Sequence, residues 1–274
     1  MLPEIDKHPS QPDYSQLDKF FHNIDFLVPD YPRSSQYMVA IHQTFYSWVG
    51  RQVSEKTVLD AGCGEGYGVN ILGKTAQRAV GVDVKEDLII YALRRYLSAN
   101  IEFLVMDCET LGFQKETFDL VVCNEMIEHL VNYKAFISGV FELLKPGGGF
   151  ICATTNAELS FKKDDGSPLN RNHFQEFTVE QLVSELKPFT EGIQIYSEVL
   201  KSRSSSYMFI KPARSIEWLL VKLGIKHKIP IQWRNYVREK ITGVKVNEMI
   251  SEGFEIIEGY SPGAMYIIAS CIKK

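Results

Sequence analysis

The sequence predicts an α/β protein built on an open, mostly parallel sheet with helices on both faces. Three observations carry this. Short β-branched and apolar runs recur at 57–59, 79–82, 101–105 and 118–123, and the stretches between them show helical periodicity. Each run leads into a polar residue, Asp60, Asp83, Asp107 or Asn124, at the strand ends where an open sheet of this kind meets its ligand. Four glycines, Gly62, Gly64, Gly66 and Gly68, fall at every second position between the first strand and the first helix. Glycine that dense is expected where backbone must approach a ligand too closely for a Cβ.

The elements follow in order. Residues 1–33 contain five prolines and predict irregular surface segments with one short helix near 17–21. Ser34 and Ser35 can cap a helix that turns Met38, Ile41, Phe45 and Trp48 inward and stops at Gly50. For Tyr37 and His42 on that helix, packing is favoured over a place in a site. After the glycine loop come a helix over 69–74, the strand ending at Asp83 and a helix over 86–98 through Ile89, Ile90, Leu93 and Tyr96. The third and fourth strands follow, and Phe136, Val140, Leu143 and Leu144 mark the next amphipathic helix. Lys145-Pro146-Gly147-Gly148-Gly149 should stop it before a fifth strand over 150–154. Residues 156–172 read as a polar loop bordering the substrate opening. Thr178 and Gln181 form a capping box for a helix with Leu182 and Leu186 inward, and 193–200 is a sixth strand. Ile216, Leu219, Leu220 and Leu223 define a further helix, 233–240 a second basic stretch, and 265–271 a last strand.

The spacing of the glycine loop selects its ligand. Started from Gly62, the dinucleotide fingerprint G-x-G-x-x-G needs glycine where Tyr67 stands. Asp60-x-Gly62-x-Gly64-x-Gly66 instead resembles the first motif of class I S-adenosylmethionine-dependent methyltransferases, and L-L-K-P-G-G at 143–148 resembles their signature after the fourth strand. The resemblance implies a Rossmann-like, seven-stranded sheet, mostly parallel with the last strand antiparallel beside the sixth. It implies S-adenosyl-L-methionine held by Asp60, Gly62, Cys63, Gly64 and Gly66, by Asp83 and Val84, by Asp107 and Cys108, and by Asn124. Asp83 is placed to accept both ribose hydroxyls, against a competing role as a helix N-cap. Asp107 is in register for the adenine amino group, against a role as a turn aspartate. The domain organisation expected is a cap segment over 1–50, the cofactor-binding core over 51–200, a basic, largely helical substrate-side insertion over 201–263 and the closing strand over 264–274.

Charge is unevenly spread. The chain is −4 overall, yet residues 201–245 are +9 and the rest −13. The basic block reads either as a site for an anionic acceptor or as a solvated face. Five cysteines with no C-x-x-C pair predict reduced, buried thiols. With no signal-peptide pattern and no apolar stretch long enough to span a bilayer, the expected location is cytoplasmic.

Chemistry is expected at Glu125, Glu128 and His129, which share one face if the residues after strand four are helical, together with the distant His173. This E-x-x-E-H plus histidine pattern resembles the metal site of small-RNA 3′-terminal 2′-O-methyltransferases and the ubiquinone-pathway O-methyltransferases. The chain as a whole resembles more closely a group of bacterial methyltransferases associated with glycan and cell-surface biosynthesis, for which no metal is implied. Two mechanisms stand: a divalent metal on Glu125, Glu128, His129 and His173, or, favoured, metal-free acid/base chemistry at a histidine. After Asn124 there is no Asn/Asp-Pro-Pro-aromatic motif, which disfavours DNA-base amines. The acceptor expected is a hydroxyl of a small molecule or glycan precursor, RNA ends being the alternative. Two readings from other classes stand beside it: a nicotinamide-dependent dehydrogenase, disfavoured by the missing third fingerprint glycine, and a silent S-adenosylmethionine-binding module.

Overall fold

The computed structural model describes residues 36–160, 162–163, 165–201 and 253–274, with Ile229, Trp233 and Tyr236. The irregular segment expected over 1–33 lies outside the described residues, as does most of the basic insertion expected over 201–263, including its helix through Ile216, Leu219, Leu220 and Leu223.

The first element, α1 (Gln36–Gly50), turns Ile41, Phe45 and Val49 into the protein. Beyond it, β1 (Thr57–Ala61), α2 (Tyr67–Leu72), β2 (Arg78–Asp83), α3 (Glu86–Tyr96) and β3 (Ile101–Val105) form one half of the sheet. Next come β4 (Phe118–Asn124), α4 (Tyr133–Leu143), β5 (Leu144–Thr155), α5 (Val179–Leu186), β6 (Thr190–Leu200), β7 (Phe254–Glu258) and β8 (Tyr266–Lys273). The spatial order is β3-β2-β1-β4-β5-β8-β6-β7. The strands from β3 to β5 pair in parallel, and β8 enters antiparallel between β5 and β6. This is the arrangement the sequence predicts, with one addition. An eighth strand, β7, extends the edge antiparallel to β6, inside the stretch expected to be largely helical.

Period-two alternation divides the strands between two cores. Leu59, Val121, Cys123, Phe150, Cys152, Ile267 and Ala269 pack on the face covered by Phe136, Ile137 and Val140 of α4 and Leu182 and Leu186 of α5. Val58, Leu120, Val122, Ile151 and Ile268 point the other way, to Phe45 and Val49 of α1, Val69 and Leu72 of α2 and Ile89 and Ala92 of α3. Both faces are buried, as a parallel sheet requires. The five cysteines are free and buried, as expected.

Local signals mostly hold. Thr178 and Gln181 make the reciprocal capping box. The glycine run does not end a helix before a separate strand, because β5 begins at Leu144 and carries 145–149 along its edge with a break in register against β4. Lys145 donates to both oxygens of Asp119, which also accepts from Thr57 N, so the run fastens the end of the sheet opposite the glycine loop. Among the described residues no helix is long and apolar enough to cross a membrane.

Candidate functional site

The carboxyl ends of β1, β2, β4 and β6 surround one region. Asp60, the penultimate residue of β1, is buried by the strands on either side, and after Ala61 the chain reverses through Gly62, Gly64 and Gly66, all at positive φ. Space separates their roles. A Cβ on Gly62 would overlap the Met126 side chain and one on Gly66 would meet Ala92 and the Phe103 ring, whereas one on Gly64 would meet nothing within 4 Å. Gly64 therefore presents bare backbone to open space. A Cβ on Gly68 would overlap the Tyr46 ring, so glycine there lets α1 press onto α2.

That approach brings α1 into the site. Tyr46 donates to Asp60 Oδ1 at 3.2 Å, and His42, one turn earlier on the same face, pairs through Nε2 with Glu125 Oε1 at 2.8 Å. The His42 ring stacks on Tyr67 at 6.4 Å between centroids. Burial lowers the imidazole pKa, but the charge and hydrogen bond of Glu125, with Glu65 and Glu128 beyond, more than reverse this and raise it above 6.5. Burial also lifts Asp60 to about 7 against the Tyr46 hydrogen bond, and Glu198 on β6 to about 9 with help from Glu125.

Asp60 Oδ2, Tyr67 Oη, Asn124 Nδ2 and Glu198 Oε1 are buried with no hydrogen-bond partner among the described residues. Buried polar groups are almost always paired, so unmet groups at one mouth of a sheet call for a ligand or ordered water. A cationic, nucleoside-bearing ligand fits them. Asp60 offers an acceptor, Gly64 open backbone and Asn124 a donor. Asp83 holds the loop by accepting from Gly64 N at 3.0 Å and from Lys85 N at 2.9 Å. It does not cap α3, whose N-cap residue, Lys85, makes no side-chain cap bond. Val84 beside it is 64% exposed, an apolar surface available to a nucleoside. Asp107 is exposed and accepts from Glu109 N at 2.8 Å in the turn that follows β3. Cys63 and Cys108 are buried, and burial pushes both thiols up, so each is a neutral packing group.

The four residues expected around a metal do not form a ligand set. Only 127–129 make a 3-10 turn, and Glu125 precedes it at φ +50°, so Glu125, Glu128 and His129 do not share a helical face. Glu128 is fully buried and accepts from the hydroxyls of Thr154 and Thr155 and from Thr155 N. His129 is exposed, with Nδ1 on the Asn172 carbonyl, and lies edge-on to His173 at 4.8 Å between centroids. Both ring nitrogens of His173 are engaged, Nδ1 with Glu176 and Nε2 with Asn170, each at 2.8 Å. Glu176 also accepts from Ser160 and Lys162, and against the upward push of burial these bonds hold it at about 2. Among the described residues no group of three or more His, Cys, Asp or Glu side chains could hold a metal ion. The pattern after β4 thus pins the loop over 156–176 to the sheet.

Comparison with known proteins adds to this geometry. Residues 59–152 match the family model described as a methyltransferase domain. The fold is the Rossmann-like one shared with methyltransferases of known structure. A protein named a probable S-adenosylmethionine-dependent methyltransferase from Mycolicibacterium smegmatis is 31% identical over 154 residues, covering 56% of this chain and 58% of that one. The mitochondrial ubiquinone biosynthesis O-methyltransferase of Rattus norvegicus is 35% identical over 119 residues, 41% of this chain and 34% of the relative. The chain spans little more than half the length of the mycobacterial relatives it matches. Among solved structures, a possible histamine N-methyltransferase from Thermotoga maritima superposes with a TM-score of 0.57 at 17% identity, over 95% of this chain and 96% of the other. The [4+2]-cyclase SpnF gives 0.57 at 19% identity over 94% and 92%. At such identities the likeness is one of fold. The sequence relatives carry the names of S-adenosylmethionine-dependent and ubiquinone-pathway methyltransferases.

Proposed function

We propose that this chain transfers the methyl group of S-adenosylmethionine to a hydroxyl of a small molecule or glycan precursor. The observation that carries the cofactor reading is the set of buried, unpartnered polar atoms beside the open Gly64 backbone, at the carboxyl end of the sheet. Asp83 and Val84 would hold the ribose, Asp107 the adenine amino group and Asp60 the ammonium end. When bound, the cofactor supplies an electrophilic methyl group, and the protein's task is to hold the acceptor in line with it and take up a proton.

Two features favour a hydroxyl. The segment after β4, Asn124-Glu125-Met126-Ile127, lacks the motif expected for DNA-base amines, and ubiquinone O-methyltransferases are among the sequence relatives. The +9 charge of residues 201–245 favours an acceptor that carries negative charge outside the reacting hydroxyl.

Calorimetry with S-adenosylmethionine and S-adenosylhomocysteine, followed by labelled methyl transfer to a panel of nucleotide-sugars, glycans, phenols and RNA, tests this reading. Micromolar binding with S-adenosylhomocysteine formation on a hydroxyl acceptor is the expected result. Binding without transfer across the panel would favour the silent module, and transfer to an amine would overturn the choice of acceptor.

A further inference from the structure

His42 was expected to pack, and the histidines expected to react are bound up in a loop anchor. We infer that His42 is the proton acceptor of methyl transfer, with Glu125 its positioning residue; this rests on the cofactor reading above.

Three observations support the assignment. First, the pair joins residues 83 positions apart at 2.8 Å, with side-chain exposures of 12% and 20%, so it is enclosed yet open to a small molecule. Second, Glu125 reaches His42 from a strained backbone. Its φ of +50° is rare for a residue with a side chain, and the turn is fixed by Glu125 N donating to the Ala153 carbonyl at 2.9 Å. Third, with Nε2 committed to Glu125, no described residue hydrogen-bonds Nδ1, which leaves one ring nitrogen for another partner. An imidazole oriented by a carboxylate with its second nitrogen free is the arrangement a general base needs.

The surroundings agree. His42 faces Glu125 and Glu128 from the turn after β4, and Glu65 and Tyr67 from the glycine loop and the start of α2. Asp60 on β1 and Glu198 on β6 complete the chamber, each acting electrostatically on His42 or Glu125. Its walls are acidic, and His42 alone among these groups becomes cationic on taking up a proton. As the acceptor oxygen forms its bond to the methyl carbon, the methyl–sulfur bond breaks with its electron pair returning to sulfur, and the hydroxyl proton passes to Nδ1. Glu125 stabilises the imidazolium that results.

The test compares two ligands that differ by one methyl group and one positive charge. In ¹⁵N-histidine-labelled protein, with the His42 signals identified by their loss in His42→Gln, the ring is titrated under saturating S-adenosylmethionine and under saturating S-adenosylhomocysteine. A sulfonium within about 6 Å of the ring should lower its midpoint by about 0.5 pH unit or more relative to the neutral sulfide. His129 and His173 should respond less, and Glu125→Gln should lower the His42 midpoint in both complexes. His42→Gln should bind S-adenosylhomocysteine within about threefold of wild type, while losing turnover on any accepted hydroxyl by about 10²- to 10⁴-fold. Midpoints equal within about 0.1 pH unit, or a larger response at His129 or His173, would overturn the assignment. Failure of both ligands to bind would instead defeat the cofactor reading and this inference with it.

Discussion

Asp60→Asn removes a charge and keeps the shape of the side chain, and it should move stability and affinity in opposite directions. In the folded protein the carboxyl lies near 7, because burial outweighs the Tyr46 hydrogen bond. In an unfolded chain it lies near about 3.9. A pKa raised on folding gives stability that is full below the unfolded value and lost as pH rises through the folded one. Between about 3.9 and 7 the folded protein must hold a proton that the unfolded chain releases, which costs about 1.5 kcal/mol at pH 5 and about 4 kcal/mol at pH 8. Asparagine has no such cost. Relative to wild type the variant should therefore gain about 2.5 kcal/mol between pH 5 and pH 8, whatever fixed amount the unpaired amide adds at both. Denaturant unfolding at the two pH values measures this gain. In the same protein, loss of a charge-assisted bond to the ammonium group should weaken S-adenosylhomocysteine by about 1.5 to 3 kcal/mol. A variant that binds normally, or whose stability relative to wild type does not change with pH, would refute the placement of Asp60 as a buried carboxyl awaiting a cation.

Three further outcomes are expected. Asp83→Ala should weaken S-adenosylhomocysteine by about 1 to 3 kcal/mol in calorimetry, through lost ribose contacts and loosening of the Gly64 and Lys85 amides. Glu198→Gln should stabilise the protein by about 1 to 4 kcal/mol at pH 8, with the gain shrinking to nothing by about pH 4, as chemical denaturation across pH will show. Glu176→Gln should destabilise by about 1 to 2 kcal/mol at pH 7. Its folded pKa is depressed to about 2, so that contribution is present above the unfolded value and disappears as the pH falls through 2, which thermal unfolding at pH 7 and pH 3 can follow.

The parts legible in the sequence were those encoded by neighbours in the chain. β1, the glycine loop and α2 form a contiguous signal, since positive φ at Gly62, Gly64 and Gly66 favours glycine on local grounds. The capping box at Thr178 and the alternation along β4 and β8 are equally local. What sequence reasoning missed was set by chain crossings. His42 meets Glu125 because Gly68 admits the Tyr46 ring and turns α1 onto the sheet, a contact with no trace in the spacing around residue 42. Glu198 stands on a strand recognised as a strand, but only the sheet order brings it near Glu125. Glu125, Glu128 and His129 misled for a related reason. Their spacing suits a helix, while the turn at Glu125 breaks the helical frame and sends Glu125 to His42 and Glu128 to Thr154 and Thr155. A hydroxyl-rich β5 end beside an acidic residue was the available signal for the second of these.

A crystal structure of the chain grown with S-adenosylhomocysteine tests the central claim most directly. The ribose is predicted on Asp83, the ammonium group against Asp60 Oδ2, and the sulfur in the chamber between Asn124 and His42. Ligand density elsewhere, such as in the cavity lined by Lys56, Asp119, Lys145 and Gly148 at the opposite end of the sheet, or a glycine loop left bare under saturating ligand, would contradict it.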